Sequence, residues 1–273
     1  MQKDSLHVRI LQGLRTEWAG RDFRYLEVTG STNDDCFRFL EEGAPHGIAV
    51  VAGKQLSGKG RRGRSWSSPA GESIYMSIGM KPDFAPERAS MLTLVMALAV
   101  CRAIEDVAAE IGDSVDIGIK WPNDIVVQGS KVCGILTEMH LTGNKIQHVV
   151  IGVGMNVGRN DFEEDIRDVA SSLFGDCAGE ECKEALIVGV LKYFESYYQK
   201  FAEKCDMSAM MVEYIDKLVN KDREVTVLDP QGEYRGTALG IDEMGQLLVR
   251  KEDGTIEAVY AGEVSVRGIY GYV

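Results

Sequence analysis

The sequence predicts an α+β protein in which a mixed sheet with flanking helices is followed by a small β-barrel. Over about the first 220 residues, β-branched strand-like segments alternate with amphipathic helical ones. Beyond that point, five short strand-like segments parted by Gly- and Asp-containing turns fill about fifty residues, which is typical of a small barrel. We therefore expect two domains, at 1–220 and 221–273.

The bulk composition narrows the functional classes. The chain has 273 residues, 45% of them hydrophobic, which is enough for a sizeable core. Its 42 acidic and 30 basic residues give a net charge of −12, which argues against general affinity for nucleic acid or anionic lipid. The N-terminus lacks a signal-peptide core, and the longest apolar run, 91–101, is too short to span a bilayer. We expect a cytoplasmic protein with reduced cysteines and no membrane association.

The first half of the chain predicts its elements in a clear order. Residues 1–24 allow at most two helical turns, and YLEVTG (25–30) predicts a strand. Residues 31–43 predict a helix, because Ser31 or Thr32 can cap it and Gly43 can end it. Strands at 47–55 and 73–80 follow, and then a long, mostly apolar and therefore buried helix at 86–111.

The second half predicts three more strands, two helices and the barrel. Helices are expected at 183–205 and at 206–220, where Asp206 is a plausible cap. The strands before these helices are expected at 115–127, 131–141 and 146–157, and the barrel strands lie in REVTVLD, YRGTALGID, QLLVRKE, TIEAVYA and VSVRG.

A glycine-rich basic loop is the first stretch that indicates chemistry. Residues 58–66, GKGRRGRSW, hold four basic side chains and three glycines between two predicted strands. Backbone N–H groups and arginine forks suit a phosphate or carboxylate, and Trp66 offers a flat face to a purine. A localisation signal, an RNA-binding segment and a solvated loop are alternatives, since basic clusters have low specificity. The position between strands favours a loop that binds one small anionic ligand.

Three further stretches place polar residues in apolar surroundings. Asp124 in KWPNDI (120–125) needs a partner, which is either Lys120 in an ion pair or Mg²⁺ bound together with phosphates. Lys131 begins the apolar segment KVCGIL; a lysine at a strand end is usually solvated, but the preceding turn can return this one to the same pocket. GVGMN (152–156) ends a strand with two glycines and Asn156, which is weak evidence by itself.

In this order, the motifs resemble those of biotin protein ligases, also called biotin–[acetyl-CoA-carboxylase] ligases. The resemblance begins near residue 25 and continues through the C-terminal strands. It implies a catalytic domain related to class II aminoacyl-tRNA synthetases, followed by an SH3-like barrel. Many bacterial members carry an N-terminal DNA-binding domain, for which the roughly twenty-four residues ahead of the first predicted strand are too few. We therefore expect a monofunctional ligase without specific binding to duplex DNA.

The resemblance also implies a role for each matching position. One departure is Lys59, where the family often has arginine: lysine keeps the charge but loses the fork. The implied biotin-binding residues are Ser31, Thr32, Asn33, Gln55, Lys59, Gly60, Arg61, Lys131 and Gly134. The implied ATP- and adenylate-binding residues are Arg61, Arg64, Trp66, Asn123, Lys131 and Asn156, and the implied catalytic residues are Lys131, Arg61 and Asp124, the last also as a Mg²⁺ ligand.

The implied reaction uses ATP to convert biotin to biotinyl-5′-AMP and then transfers biotin to a lysine of a biotin carboxyl carrier protein or domain. The basic loop would be mobile without ligand and close over the adenylate. A free sheet edge could also pair two protomers into a homodimer. The alternatives are a lipoate or octanoate protein ligase of the same fold and a non-enzymatic nucleotide- or RNA-binding module.

Overall fold

Two β-sheets organise the protein. The computed structural model describes residues 6–71, 73–158, 162, 164, 166–175, 179–228 and 232–261, with the backbone of 265–268. The larger sheet consists of β1 (Phe23–Leu26), β2 (Ile48–Ala52), β3 (Ser73–Met80), β4 (Ile117–Lys120), β5 (Asp124–Val127), β6 (Ser130–Thr142) and β7 (Lys145–Asn156). Its order is β1-β2-β3-β7-β6-β5-β4, and only the β1–β2 pair is parallel.

Helices cover both faces of this sheet. On one face lies α2 (Thr32–Glu41), which buries Phe37 and Leu40 against apolar residues of β2 and β7. On the other face lie α3 (Met91–Glu110) and α4 (Glu180–Lys204), and α3 is buried almost all round in its first half. The remaining helices are α1 (Leu6–Gly13) and α5 (Met211–Lys217). No helix among the described residues has the length and apolar character needed to cross a membrane.

The segment predicted as one strand at 115–127 is in fact a hairpin of two short strands. The chain leaves the ladder at Trp121–Pro122, whose peptide bond is cis, and returns so that Lys120 pairs with Asp124. Pro122 has no N–H to donate to a neighbouring strand. The Trp121 N–H donates to the side chain of Asn220, at 2.8 Å from its Oδ1, and not to the β4–β5 ladder. Asn123 and Asp124 therefore stand at a turn of the sheet and at the start of β5.

Two other predicted elements differ in their bounds. The first strand is Phe23–Leu26 and not 25–30, because Thr29 onward leaves the sheet and makes only an isolated bridge to Gln55. The helix predicted at 206–220 is shorter, since the Met207 N–H donates to Glu243 O at 2.8 Å. Asp206 accepts the Ser208 N–H in that turn, so the expectation that it caps the helix is wrong. The other predicted strands and helices are found at bounds that differ by a few residues.

The five C-terminal strands form one antiparallel sheet. They are β8 (Glu224–Leu228), β9 (Tyr234–Ile241), β10 (Leu247–Arg250), β11 (Ile256–Val259) and β12 (Ser265–Gly268), in the order β11-β10-β9-β8-β12. Trp121 follows β4 of the large sheet and is 1% exposed. Its indole N–H donates to Gly245 O at 3.0 Å, between β9 and β10, and this hydrogen bond connects the two sheets. The division into domains at residue 221 stays a prediction.

A buried carboxylate anchors the N-terminal segment. Glu195 of α4 is 8% exposed and accepts the backbone N–H groups of Glu17, Trp18 and Ala19 at 2.8, 2.8 and 2.9 Å. A carboxylate that receives several N–H donors satisfies backbone groups that would otherwise lose hydrogen bonds on burial. Trp18 then packs edge-on against Phe194 of the same helix.

We expect Glu195→Ala to lower the free energy of unfolding by about 2–4 kcal/mol, because three backbone donors lose their acceptor. Thermal and urea unfolding followed by circular dichroism measure this change. Glu203→Ala, on an exposed position of the same helix, is the matched control and should behave like the wild type. Equal stability of the Glu195 variant and the control would show that the anchor contributes nothing.

Candidate active site

Small residues on three adjacent strands form the floor of the candidate site. In the register of β3, β7 and β6, Gly154 pairs with Tyr75 on one side and with Gly134 on the other. Two residues along, Gly152 pairs with Ser77 and with Leu136, so both rows lie on the same face of the sheet. This is the face that α2 covers, and the glycines leave room for other groups to approach the strands.

A cavity lies above this floor and gathers most of the predicted site residues. The sequence missed Ile135, Leu136 and Val153 as lining residues, and it noted Gly152 and Gly154 only as weak evidence. The predicted residues that line the cavity are Ser31, Thr32, Asn33, Gln55, Lys59, Gly60, Arg61, Trp66, Asn123, Lys131 and Gly134.

Three predicted residues stand outside this lining. Asp124 lies behind it and reaches the cavity through Lys131. Arg64 is exposed and lines a separate groove that is formed by the basic loop together with Leu136 and Glu138. Asn156 is 7% exposed and donates its amide to Ser171 O at 3.2 Å.

The indole of Trp66 lies directly on the glycine floor. A Cβ atom at Gly154 would lie 2.6 Å from the indole, and one at Gly134 would lie 2.7 Å from it. The buried Nε1 of Trp66 has no hydrogen-bond partner among the described residues, so it can donate to a ligand. The Lys131 ammonium lies 5.2 Å from the ring centroid, within the range of a cation–π contact.

One end of the cavity, formed by Arg61 and Lys131 and called here the cationic end, is positively charged. The Lys131 Nζ lies 2.6 Å from Asp124 Oδ1, so Lys131 is an ion-pair partner of this carboxylate. Lys120, the partner considered from the sequence, lies opposite Asp124 in the register of β4 and β5. Asn123 links the two cations: its oxygen accepts from Arg61 at 2.9 Å and its amide donates to Asp124 at 3.0 Å. Burial lowers the pKa of the Arg61 guanidinium, and the charge of Asp124 opposes that shift.

The other end, called here the hydroxyl end, is built from Ser31, Thr32 and Ser77. Ser77 is fully buried, and its Oγ lies 2.7 Å from Thr32 Oγ1 and 2.6 Å from Asn33 Oδ1. Ser77 is the donor in both contacts, so its single hydroxyl proton is shared between the Thr32 and Asn33 oxygens. The Thr32 hydroxyl donates its own proton to Gln55 Oε1 at 3.1 Å. The sequence did not identify Ser77, because its role depends on strand pairing that no local motif records.

The hydroxyl end continues into a chain of hydrogen bonds that reaches Ser68 on one side and Glu138 on the other. Gln55 Oε1 accepts the Thr32 N–H at 2.8 Å, and its amide donates to Ser68 Oγ at 3.0 Å. On the other side, Asn33 donates to Glu138 Oε2 at 2.7 Å. Both polar ends of the Asn33 side chain are thus occupied by protein groups.

The basic loop folds as a tight hairpin over the cavity. Lys59 and Ser65 form an antiparallel bridge, and the Gly60 N–H donates to Arg64 O at 2.7 Å. At its tip, in the one-turn segment Arg61–Gly63, Arg62 and Gly63 have φ values of +58° and +72°. Two successive left-handed residues are the signature of the type I′ turn that joins hairpin strands, and the glycine suits the second position.

Comparison with known proteins identifies two family regions in the chain. Residues 25–156 match the biotin/lipoate A/B protein ligase family, and residues 222–267 match the biotin protein ligase C terminal domain. The bifunctional ligase/repressor BirA of Bacillus subtilis is 35% identical over 93% of this chain and 77% of its own length. A biotin–[acetyl-CoA-carboxylase] ligase of Mycobacterium tuberculosis is 30% identical over 90% of both chains.

Solved structures give the same family. A biotin protein ligase from Aquifex aeolicus, determined in complex with biotin and ATP, has a TM-score of 0.71 and 29% identity. The match covers 91% of this chain and 99% of that one.

We expect Gly154→Ala to displace the Trp66 indole, because the new Cβ would lie 2.6 Å from it. The backbone does not have a positive φ at this position, so the fold should survive. The fluorescence emission should shift to longer wavelength as Trp66 moves toward solvent. The same substitution in a Trp66→Phe background is the control and should leave emission unchanged; an equal shift in both backgrounds would contradict the placement of the indole.

Proposed function

The chain belongs to the biotin protein ligase family, and we propose that its cavity is where biotin is joined to AMP and then passed to a carrier lysine. The protein is a biotin–[acetyl-CoA-carboxylase] ligase that uses ATP. One observation supports placing this reaction in the cavity. Its glycine floor has buried hydroxyl groups at one end and the two cations, Arg61 and Lys131, at the other. Biotin has a matching order of chemical groups: a bicyclic polar ring, then an apolar chain, then a carboxylate.

In the first step, a carboxylate oxygen of biotin attacks the α-phosphorus of ATP. The bond from that phosphorus to the bridging oxygen breaks, and pyrophosphate leaves with the electron pair. Both reactants are anionic, so they repel each other unless the site supplies positive charge. Lys131 and Arg61 face the place where the carboxylate and phosphate must meet, and fixed cations there stabilise the charge that develops.

In the second step, a lysine amine of a biotin carboxyl carrier protein attacks the carbonyl carbon of biotinyl-5′-AMP. The carbon–oxygen bond to the phosphate breaks, AMP leaves, and the amine proton passes to solvent. The Lys131 ammonium would also stabilise the departing AMP phosphate. The absence of specific duplex DNA binding and a cytoplasmic location stay predictions from the sequence. Whether two protomers pair through a free sheet edge is left open by the sequence.

We assign the hydroxyl end to the ureido ring of biotin. Ser31 stands at the N-cap of α2 but makes no side-chain capping bond, which leaves its hydroxyl for the cavity. Thr32 and Gln55 are fixed by the hydrogen-bond chain and present further polar atoms. The Trp66 indole rests on Gly134 and Gly154, so the valeryl chain and the adenylate would pack against the part of the indole that faces away from these glycines.

A role for Mg²⁺ is part of the proposal, with the nucleotide as its main ligand. Within the described part of the chain, no group of three or more His, Cys, Asp or Glu side chains is placed to hold a metal. Mg²⁺ commonly binds through one or two carboxylates plus phosphate oxygens and waters, so Asp124 alone is compatible with that mode. Bound in this way, Mg²⁺ would neutralise phosphate charge, while the chain's own contribution from Asp124 is to orient Lys131.

A paired substrate assay tests the function. The protein is incubated with ATP, a carrier domain and either biotin or lipoate, and the carrier is analysed by mass spectrometry. The match of residues 222–267 to the biotin protein ligase C terminal domain favours biotin over lipoate. Carrier labelling with biotin alone supports the proposal, whereas labelling with lipoate alone, or no labelling with either acid, contradicts it.

We expect Lys131→Ala to slow adenylate formation by a factor of about 30–1000, because one of two cations at the reacting phosphate is lost. Single-turnover quenched flow with labelled ATP and saturating biotin measures this rate. The exposed Lys145→Ala is the matched control and should match the wild type. Adenylate formation at the wild-type rate by a correctly folded Lys131 variant would refute the assignment.

We expect Ser77→Ala to raise the KM for biotin about tenfold, because Thr32 and Asn33 lose the hydroxyl that fixes them. The KM for ATP should stay within about twofold, since Ser77 contributes only to the hydroxyl end. Steady-state kinetics with each substrate varied in turn separate the two effects, and the exposed Ser114→Ala serves as control. A change confined to the KM for ATP would place the biotin ring elsewhere.

A further inference from the structure

We propose that Glu138 is a positioning residue that couples the hydroxyl end of the cavity to the basic loop. Its two carboxylate oxygens point to different parts of the site. Oε2 accepts the Asn33 amide at 2.7 Å, and Oε1 lies 3.9 Å from the Lys59 ammonium. This inference rests on the proposed function, since it concerns how the same site holds biotin and retains the adenylate.

The Asn33 contact makes Glu138 a support of the biotin site. Asn33 is 4% exposed, and a Cβ at Gly152 would lie 2.3 Å from its Oδ1, so the side chain is packed on the glycine floor. Ser77 fixes the oxygen and Glu138 fixes the nitrogen. Without Glu138, the side-chain amide of Asn33 can rotate. The hydrogen bond from Ser77 to the Asn33 oxygen is then no longer held in place, and the orientation of the Ser77 hydroxyl toward Thr32 is less well fixed.

The Lys59 contact ties the basic loop to the body of the protein. The Lys59 ammonium bonds Asp34 of α2 and faces Glu138 of β6, so two elements hold one residue of the loop. Partial burial alone would lower the pKa of Lys59, but the bond to Asp34 and the charge of Glu138 raise it above its ordinary value. Lysine suits this place because a compact ammonium can meet two carboxylates without the fixed plane of a guanidinium.

The two contacts differ in strength, and this difference suits a loop that must open. The Asn33 side chain is buried, whereas Lys59 and Asp34 are 39% and 57% exposed. Exposed ion pairs are weak and are screened by salt. The pocket side of Glu138 therefore stays fixed while the loop side can release, which lets the carrier lysine enter and AMP leave.

Two substitutions at one position separate these roles. In Glu138→Gln the amide oxygen can still accept from Asn33, but the charge toward Lys59 is gone; Glu138→Ala removes both contacts. For Glu138→Gln we expect a KM for biotin within about twofold of wild type and a release of adenylate, trapped by hydroxylamine, that is about three- to tenfold faster. For Glu138→Ala we expect the same leak together with a KM for biotin raised about tenfold.

Independent readouts and controls complete the test. Limited trypsin digestion should cut the loop faster in both Glu138 variants and in Asp34→Asn, which removes the second carboxylate facing Lys59. Added salt should speed the cutting of wild type more than that of the variants. Glu110→Gln, an exposed carboxylate at the end of α3, should match wild type in every measurement.

The outcomes distinguish this coupling from the proposed function itself. A wild type that forms no adenylate from biotin and ATP refutes the function. An active wild type whose Glu138 variants show its own KM, leak rate and trypsin sensitivity refutes the coupling alone. A KM for biotin that rises equally in Glu138→Gln and Glu138→Ala also refutes it, because the carboxylate charge and not the hydrogen bond would then hold Asn33.

Discussion

Two cations share one carboxylate at the cationic end of the cavity, and much of the structure serves to hold them there. Lys131 bonds Asp124 directly, whereas Arg61 bonds Asn123, whose amide donates to the same carboxylate. Burial lowers the pKa of Arg61, which means that its charge is costly to keep away from water. A phosphate or carboxylate of the reactants would lie beside these two cations, so the positive charge is in place before the anions of the reaction arrive.

The fold brings these residues together by turning the chain twice within a short stretch. The hairpin of β4 and β5 places Asn123 and Asp124 at one turn, and the start of β6 returns Lys131 to the same carboxylate. Trp121 fixes the first turn, because its two N–H groups donate to Asn220 and to Gly245 of the C-terminal part. The glycines on β6 and β7 then leave room for the Trp66 indole and the Asn33 side chain to pack directly on the strands at the cavity.

Linear motifs were sufficient to predict the groups that carry charge and the order of nearly all elements. Lys131 and Arg61 belong to stretches whose composition is unusual for their surroundings, whereas Gln55 was implied by the resemblance to the family; all three line one cavity. The sequence failed where a residue's role comes from pairing across the sheet: Ser77 lies in an ordinary apolar strand, and only the register with Gly152 brings it beneath Asn33. The strand predicted at 115–127 was wrong for a similar reason, since the partner of the Trp121 N–H lies ninety-nine residues away.

The most direct measurement is a crystal structure of the protein with biotin and ATP, or with the adenylate they form. The phosphate oxygens should lie within about 3 Å of both the Lys131 ammonium and the Arg61 guanidinium, the distance of charge-assisted hydrogen bonds. The ureido ring should lie beside Thr32 and Gln55, and the Trp66 indole should contact the ligand. A phosphate bound away from both cations, or a ring lodged at the cationic end, would contradict the assignment of the cavity.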